Sequence, residues 1–82
     1  MKIRKANIRN ENKMITKVYL YENKKEEYTM VAIPDIEWST IIPYEEEREA
    51  LSTRLAKSLK KMVHEDISTQ LTSKIIQWVR EM

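Results

Sequence analysis

His64, Glu65 and Asp66 place the single histidine of this 82-residue chain beside two carboxylates. An imidazole and a carboxylate can carry general acid–base chemistry when a nucleophile and an oxyanion site stand next to them. The candidate nucleophiles fall where helical surface is expected: Ser52, Ser58, Ser68 and Ser73. The simpler interpretation is a helix junction, with His64 near the end of one helix and Asp66 as the N-cap of the next. The sequence therefore predicts no catalytic residues and no enzyme.

Acidic side chains form a second candidate group, since carboxylate oxygens are the ligands that hard divalent cations prefer. The group consists of Asp35, Glu37, Glu45, Glu46, Glu47 and Glu49. It lacks the spaced Asp and Asn ligands and the glycine bend of a calcium loop. Glutamates are also favoured in the first turns of a helix, where the macrodipole is positive. We therefore expect the start of a helix here and no metal site.

Two residue types that the sequence lacks exclude further chemistry. Without cysteine the chain can form no disulfide, thiolate nucleophile or zinc ribbon. Without glycine it has no phosphate loop or dinucleotide fingerprint, because both need a backbone that approaches the phosphates at unusual dihedral angles. The sequence therefore predicts no cofactor.

Basic side chains are concentrated near the start of the chain. Residues 1–25 hold eight Lys or Arg and two Glu, whereas residues 26–50 hold one Arg and eight acidic residues. Aromatic side chains amid basic ones on an open sheet are typical of proteins that bind single-stranded nucleic acid, and Tyr19 and Tyr21 belong to this region. The candidate nucleic-acid patch is Lys2, Arg4, Lys5, Arg9, Lys13 and Lys17. Ordinary solvated charge is the alternative interpretation.

Period-two alternation of apolar residues predicts three strands after a short first or edge strand, whose apolar anchors Ile3 and Ile8 fall on opposite faces, and the pattern changes to a helical period near Glu45. The predicted strands cover residues 2–9, 14–21, 27–33 and 36–42. The apolar stripe of the first helix is Leu51, Leu55, Leu59, Met62 and Val63, and that of the second is Ile67, Leu71, Ile75, Trp78, Val79 and Met82. We expect a single α+β domain over residues 1–82, in which an antiparallel meander of three or four strands precedes two helices packed on the sheet (β-β-β-β-α-α).

One sheet face is then left to water or to a partner. Alternation along the second strand puts Met14 on the same face as Val18 and Leu20, and Ile15 on the other face. The face of Ile15 is either the core or an exposed protein interface, and parity alone does not decide between them. The candidate interface also includes a strand edge at Pro34 and Asp35. Proline lacks a backbone donor, and a free carboxylate beside it leaves room for a partner. The candidate interface is Ile15, Tyr19, Tyr21, Val31, Ile33, Pro34 and Asp35.

Residues 31–51 carry a recognisable order of features. A strand ends in Val-Ala-Ile-Pro-Asp-Ile, and an amphipathic helix follows a Glu-rich turn; the positions that matter are Val31, Ile33, Pro34, Asp35, Ile36, Tyr44, Glu45, Glu46, Ala50 and Leu51. This order resembles the N-terminal domain of HicB-type antitoxins. The resemblance implies a partial RNase-H-like domain of sheet and helices that binds a small partner protein. A glycine is usual after the Pro-Asp segment of that family, and Glu37 stands here instead.

A second resemblance extends over nearly the whole chain. It rests on the chain length, the start MKIRKANI, the segments YENKKEE, TMVAIPDI and WST within residues 21–40, and the end WVREM. Together these resemble the small bacterial YueH-like proteins, a family whose function is uncharacterised. The resemblance implies no activity.

We expect a non-enzymatic interaction module that acts through its sheet face or edge, either on a protein partner or on itself as a homodimer. The alternative is a small nucleic-acid-binding protein that uses the basic N-terminal hairpin. No apolar run approaches the roughly 20 residues that span a bilayer, and the basic start lacks the apolar block of a secretion signal. A cytoplasmic location without membrane association is therefore expected.

Overall fold

The computed structural model describes residues 1–81 as a four-stranded antiparallel sheet followed by two α-helices, which confirms the predicted order of elements. Strands that follow one another in sequence are neighbours in the sheet. The strands are β1 (Lys2–Asn10), β2 (Lys13–Asn23), β3 (Tyr28–Ile33) and β4 (Trp38–Pro43), and the helices are α1 (Arg48–Leu59) and α2 (Glu65–Glu81). A short 3-10 turn, Pro34–Ile36, joins β3 to β4. Met82, predicted on the stripe of the second helix, lies outside the described residues.

A bulge in β1 shifts the alternation between the two faces of the sheet. Lys5 lies opposite Lys17 and Ile8 lies opposite Ile15, so β1 holds one more residue than β2 between these pairs. Asn7 lies in the bulge with a φ of 51°. Ile15 and Val18, three residues apart, are consequently both buried, whereas Met14 is 49% exposed. The predicted placement of Met14 beside Val18 is therefore wrong, because the alternation of β2 breaks between Ile15 and Val18, opposite the bulge.

One apolar cluster fills the space between the helices and the sheet. Its helical part is Leu51, Leu55 and Leu59 from α1 with Ile67, Leu71, Ile75 and Ile76 from α2, joined by Val63 from the connection; all but Ile76 lie on the predicted stripes. Its sheet part is Ala6, Ile8, Ile15, Val18, Leu20, Val31, Ile33, Trp38 and Ile42. Met62 is an exception to the predicted stripe, since α1 ends at Leu59 and the Met62 side chain is 46% exposed.

Two hydrogen bonds of serine side chains fix the helices relative to the sheet and to each other. The indole Nε1 of Trp38 donates to Oγ of Ser58 at 2.9 Å, which joins β4 to α1. The Oγ of the buried Ser68 donates to the carbonyl oxygen of Ala56 at 2.9 Å, which joins α2 to α1. Both serines therefore serve packing: Ser68 satisfies its own buried hydroxyl, and Ser58 supplies an acceptor to the buried Trp38.

Both helices begin at residues other than those predicted. α1 begins at Arg48, so Glu45 and Glu46 precede it and do not lie in its first turn. α2 begins at Glu65, so Asp66 lies within its first turn and is not its N-cap. Neither helix within residues 1–81 combines the length and the apolarity that crossing a membrane demands.

Candidate functional site

The sheet face opposite the helices carries a group of apolar side chains that no described element covers. We call Ile3, Tyr19, Tyr21, Met30 and Ile41 the open patch. Ile3 lies opposite Tyr19 in one cross-strand row, and Tyr21, Met30 and Ile41 form the next row. Ile3 and Ile41 are 53% and 52% exposed, and Tyr21 and Met30 are exposed as well. Contiguous apolar side chains on three or more strands mark an interaction surface more often than scattered single ones do.

The structure divides the predicted interface between the two faces of the sheet. Ile15, Val31 and Ile33 are buried against the helices and belong to the core, so they are corrected from interface to core. Tyr19 and Tyr21 lie on the open patch. The reasons differ: the alternation of β2 breaks opposite the bulge, which separates Ile15 from the two tyrosines, whereas Val31 and Ile33 lie opposite the buried Leu20 and Trp38.

The open patch also contains three residues that the sequence interpretation missed: Ile3, Met30 and Ile41. Met30 alternates with the buried Val31, and Ile41 alternates with the buried Ile42. Once the core face of each strand is known, parity assigns both residues to the opposite face. The signal was therefore present in the sequence, but it became usable only after the faces had been assigned.

Pro34 and Asp35 do not form a free strand edge. β3 is an inner strand of the sheet, and the 3-10 turn that contains both residues lies at its end beside β2. The backbone N–H of Thr16 donates to Oδ2 of Asp35 at 2.8 Å. The carboxylate thus takes the place of a backbone acceptor that β3 would have supplied to β2, and the predicted partner site at this edge is corrected.

Charged side chains of opposite sign stand at the two ends of the open patch. Lys5 and Lys17 lie opposite each other, adjacent to the row of Ile3 and Tyr19. At the other end, a shallow depression beside Ile41 is lined by Glu26, Glu27 and Glu45. The turn between β2 and β3, which contains Glu26 and Glu27, also contains Lys24 and Lys25, but these two lysines do not line the depression. The face is therefore basic at one end and acidic next to Ile41 at the other.

The predicted nucleic-acid patch is split by the fold. Lys5 and Lys17 share the open face with Tyr19 and Tyr21. Lys2 and Arg4 lie opposite Leu20 and Val18, whose side chains are buried on the helix side. Arg4 approaches Glu81 of α2 to 3.8 Å. Arg9 and Lys13 are exposed near the β1–β2 turn, so the six residues form no single surface.

Both edges of the sheet are modified in ways that discourage strand addition. On β4, Arg54 of α1 donates to the carbonyl oxygen of Ile41 at 3.2 Å and to Oγ1 of Thr40 at 2.8 Å. β1 presents a bulge and basic side chains along its edge. Bulges and charges on edge strands hinder pairing with a second sheet.

Arg54 also forms a bidentate ion pair with Glu46, with two N···O distances of 2.8 Å. The hydrogen bonds from Arg54 hold the pKa of the Glu46 carboxyl below its ordinary value, although partial burial acts in the opposite direction. The same hydrogen bonds raise the pKa of Arg54. Close by, the hydroxyl of Tyr44 donates to the Glu22 carboxylate, which raises the pKa of Tyr44 to about 12.

The imidazole of His64 lies on the surface, with its side chain 72% exposed. Its Nε2 lies 3.7 Å from a carboxylate oxygen of Glu11 in the β1–β2 turn. Ser58 and Ser68, two of the candidate nucleophiles, are held in the packing contacts described above. In the described chain, no three His, Asp or Glu side chains are grouped closely enough to hold a metal ion.

Comparison with known proteins identifies relatives over the full chain. The family model described as "YueH-like protein" matches residues 2–81. The sequence is 55% identical over 82 residues to "Uncharacterized protein YueH" of Bacillus subtilis (strain 168), and the alignment covers 100% of both chains. No solved structure matches the chain significantly, so the HicB-like fold implied for residues 31–51 stays a prediction. Since the family model and this relative both extend over essentially the whole sequence, the chain belongs to the YueH-like family.

Proposed function

We propose that this protein is a non-enzymatic interaction module that pairs with a second copy of itself through the open patch. The observation that carries the proposal is the exposure of Ile3, Tyr21, Met30 and Ile41 in two adjacent rows on the uncovered face. Covering apolar surface contributes about 25 cal/mol per Å² removed from water. Two such faces can stack as the sheets of a β-sandwich do, about 10 Å apart and with strand directions within about 30° of each other.

The modified edges favour face-to-face stacking over strand addition. Arg54 already occupies the carbonyl oxygen of Ile41 on the β4 edge. The bulge at Asn7 bends the β1 edge. A partner strand would therefore find few regularly spaced free donors and acceptors, whereas the face offers apolar side chains without a competing contact.

The charges at the ends of the open patch favour a second copy as the occupant. Consider a dimer whose two-fold axis lies in the plane of the interface and runs perpendicular to the strands. In such a dimer the strands of one sheet run opposite to the corresponding strands of the other sheet. The end with Lys5 and Lys17 then lies over the partner's end with Glu26 and Glu27. The same surface is thus complementary to itself in charge as well as in polarity.

Sedimentation equilibrium of the wild-type protein and of Ile41→Lys tests the proposal. We expect a concentration-dependent dimer for the wild type, and a dissociation constant at least about thirtyfold higher for Ile41→Lys, since a charge in place of an apolar anchor of the interface costs about 2 kcal/mol. The matched control is Met62→Lys, which changes a residue of similar exposure in the α1–α2 connection. A wild type that stays monomeric, or equal effects of the two substitutions, would contradict the proposal.

A second candidate function has one observation in its favour: Tyr19 and Tyr21 share the open face with Lys5 and Lys17. Bases of a single strand stack on aromatic side chains while lysines neutralise phosphates. Fluorescence anisotropy of a labelled single-stranded RNA measures this binding directly. Its affinity should fall steeply between about 50 and 200 mM salt because counterions are released on binding. Absence of binding at the lower salt concentration would eliminate this candidate.

A further inference from the structure

A cavity of about 380 Å³ opens on the helix side of the sheet, where the start of α1 and the end of α2 meet β3 and β4. Its apolar lining is formed by Ile42, Leu51, Ile76 and Val79. Cavities of this size with an apolar floor and a few polar groups at the mouth are typical of small-molecule sites. The cavity lies on the opposite side of the sheet from the open patch, so an inference from it is independent of the proposed self-association.

Two arginines stand at the mouth of this cavity. Arg48 and Arg80 line both the apolar cavity and a neighbouring polar groove of about 700 Å³ between α1 and α2. Both residues are exposed, and neither takes part in an ion pair between residues 1–81. The junction between an apolar and a polar space is thus occupied by two cationic side chains.

Three carboxylates line the same two spaces as the arginines, and each has a hydrogen-bond or ion-pair partner. Glu46 accepts both hydrogen bonds from Arg54, and Glu22 accepts the hydrogen bond of Tyr44. In the polar groove, Glu81 contacts Arg4. Glu46 and Glu81 are thus paired with other arginines, whereas Glu22 keeps its negative charge, so within residues 1–81 the two unpaired arginines at the junction outnumber the one unpaired carboxylate that lines it.

The backbone adds to the positive potential at the same place. α1 begins at Arg48, and the N-cap residue Glu47 makes no side-chain hydrogen bond to the first turn. The free N–H groups and the macrodipole at the start of a helix favour an anion, and Glu49 in the first turn offsets part of this positive potential.

We propose that this site binds an amphipathic carboxylate, with its linear apolar tail in the cavity and its carboxylate between Arg48 and Arg80. The apolar lining accounts for the tail, since Ile42, Leu51 and Ile76 offer it no hydrogen-bond partner. The two guanidinium groups account for the carboxylate, because arginine presents planar donors that match its two oxygens. Free carboxylic acids and acyl chains with a nearby anionic group share this chemistry.

Titration of the ¹⁵N-labelled protein with octanoate, followed by amide chemical shifts, tests the site. Octanoate should shift the amides of Leu51, Ile76 and Val79. Octanol, which has the same tail without the charge, should bind about tenfold more weakly, and butyrate, which has the charge with a short tail, should bind more weakly as well.

The double substitution Arg48→Gln/Arg80→Gln supplies the second arm of the test. It should lower the affinity for octanoate about tenfold and leave the affinity for octanol unchanged, because only the head group loses its partners. Lys61→Gln, at an exposed residue of the α1–α2 connection, is the matched control and should change neither affinity. Both arginines are exposed, and a dispersed amide spectrum verifies that the variant is folded. Shifts that lie outside the cavity, equal affinities for octanoate and octanol, or an unchanged octanoate affinity in the double variant would overturn the proposal.

Discussion

The Arg54 side chain joins α1 to the turn before it and to β4. It pairs with Glu46 ahead of α1 and donates to Thr40 and Ile41 on β4. The sequence suggested a different role for Glu46, as a favourable charge in the first turn of a helix. That interpretation is wrong because α1 begins two residues later, which leaves Glu46 free to turn towards Arg54. A partner eight residues away across a turn has no signature in helical or strand periodicity.

The Glu46–Arg54 pair predicts a pH-dependent contribution to stability. The folded protein holds the pKa of Glu46 below the ordinary value of 4.5, so the contribution is fully present above about pH 4.5 and disappears as the pH falls through the folded pKa. Near pH 7 we expect Glu46→Gln to lower the free energy of unfolding by about 1 kcal/mol, allowing for the partial exposure of Arg54. Urea denaturation over a range of pH measures the difference.

The control for this prediction is Glu45→Gln, at the exposed neighbour, which makes no side-chain hydrogen bond within residues 1–81. Its free energy of unfolding should follow that of the wild type at every pH. A gap between wild type and Glu46→Gln that persists at strongly acidic pH would contradict the assignment of the effect to this ion pair.

At four residues the backbone adopts a conformation that the residue type does not predict. Asn7, Glu11, Glu27 and Glu37 all adopt a positive φ in a chain without glycine. For a residue with a side chain this left-handed region costs roughly 1 kcal/mol, so local preference argues against it for glutamate. Glu37 has a φ of 50° immediately after the Pro-Asp segment, where the HicB-type pattern has glycine. The position requires this backbone conformation although the residue type does not indicate it.

At the scale of elements, the order of strands and helices followed from periodicity everywhere except β1, whose Ile3 and Ile8 do not alternate. Leu51, Leu55 and Leu59 repeat every four residues and are all buried, and Val31 and Ile33 alternate as a strand requires. The failure occurred on β2, where a bulge in the neighbouring β1 changes which residues face the core. No residue of β2 itself signals that change, because the extra residue lies in the other strand.

The turn between β3 and β4 predicts a local effect of Asp35 on β2. Asp35→Ala removes the acceptor of the Thr16 N–H, so the exchange of the Thr16 amide with solvent should accelerate about tenfold. Hydrogen exchange followed by NMR measures this rate residue by residue. Amides of the inner pairs between β2 and β3, such as that of Tyr21, should keep their protection.

Asp35→Asn is the matched variant, since its amide retains one oxygen as an acceptor. It should accelerate exchange at Thr16 less than Asp35→Ala does. If the two variants and the wild type exchange this amide at the same rate, the carboxylate does not replace a backbone acceptor of β3.

At the scale of the whole molecule, the fold converts a charge pattern along the sequence into one across a surface. Most basic residues precede position 26 and most acidic ones follow it, yet Lys24 and Lys25 belong to the same turn as Glu26 and Glu27. The antiparallel register, and not sequence position, brings Lys5 beside Lys17. Counting charge by segment therefore predicted an asymmetric protein but could not place the two ends of the open patch.

This asymmetry predicts how charge-reversed variants associate. Lys5→Glu/Lys17→Glu makes both ends of the open patch acidic, and Glu26→Lys/Glu27→Lys makes both ends basic. In a two-fold dimer of either variant, like charges then face each other at both ends, so each homodimer should be weaker than the wild-type dimer by about tenfold or more.

An equimolar mixture of the two variants should form a heterodimer, because an acidic end then faces a basic end at both places. Native mass spectrometry distinguishes the heterodimer by its mass once the two variants carry different isotope labels, and raising the salt concentration should reduce its preference over the homodimers. If the mixture contains the three dimers in statistical proportion, the two ends of the patch do not face each other in the complex.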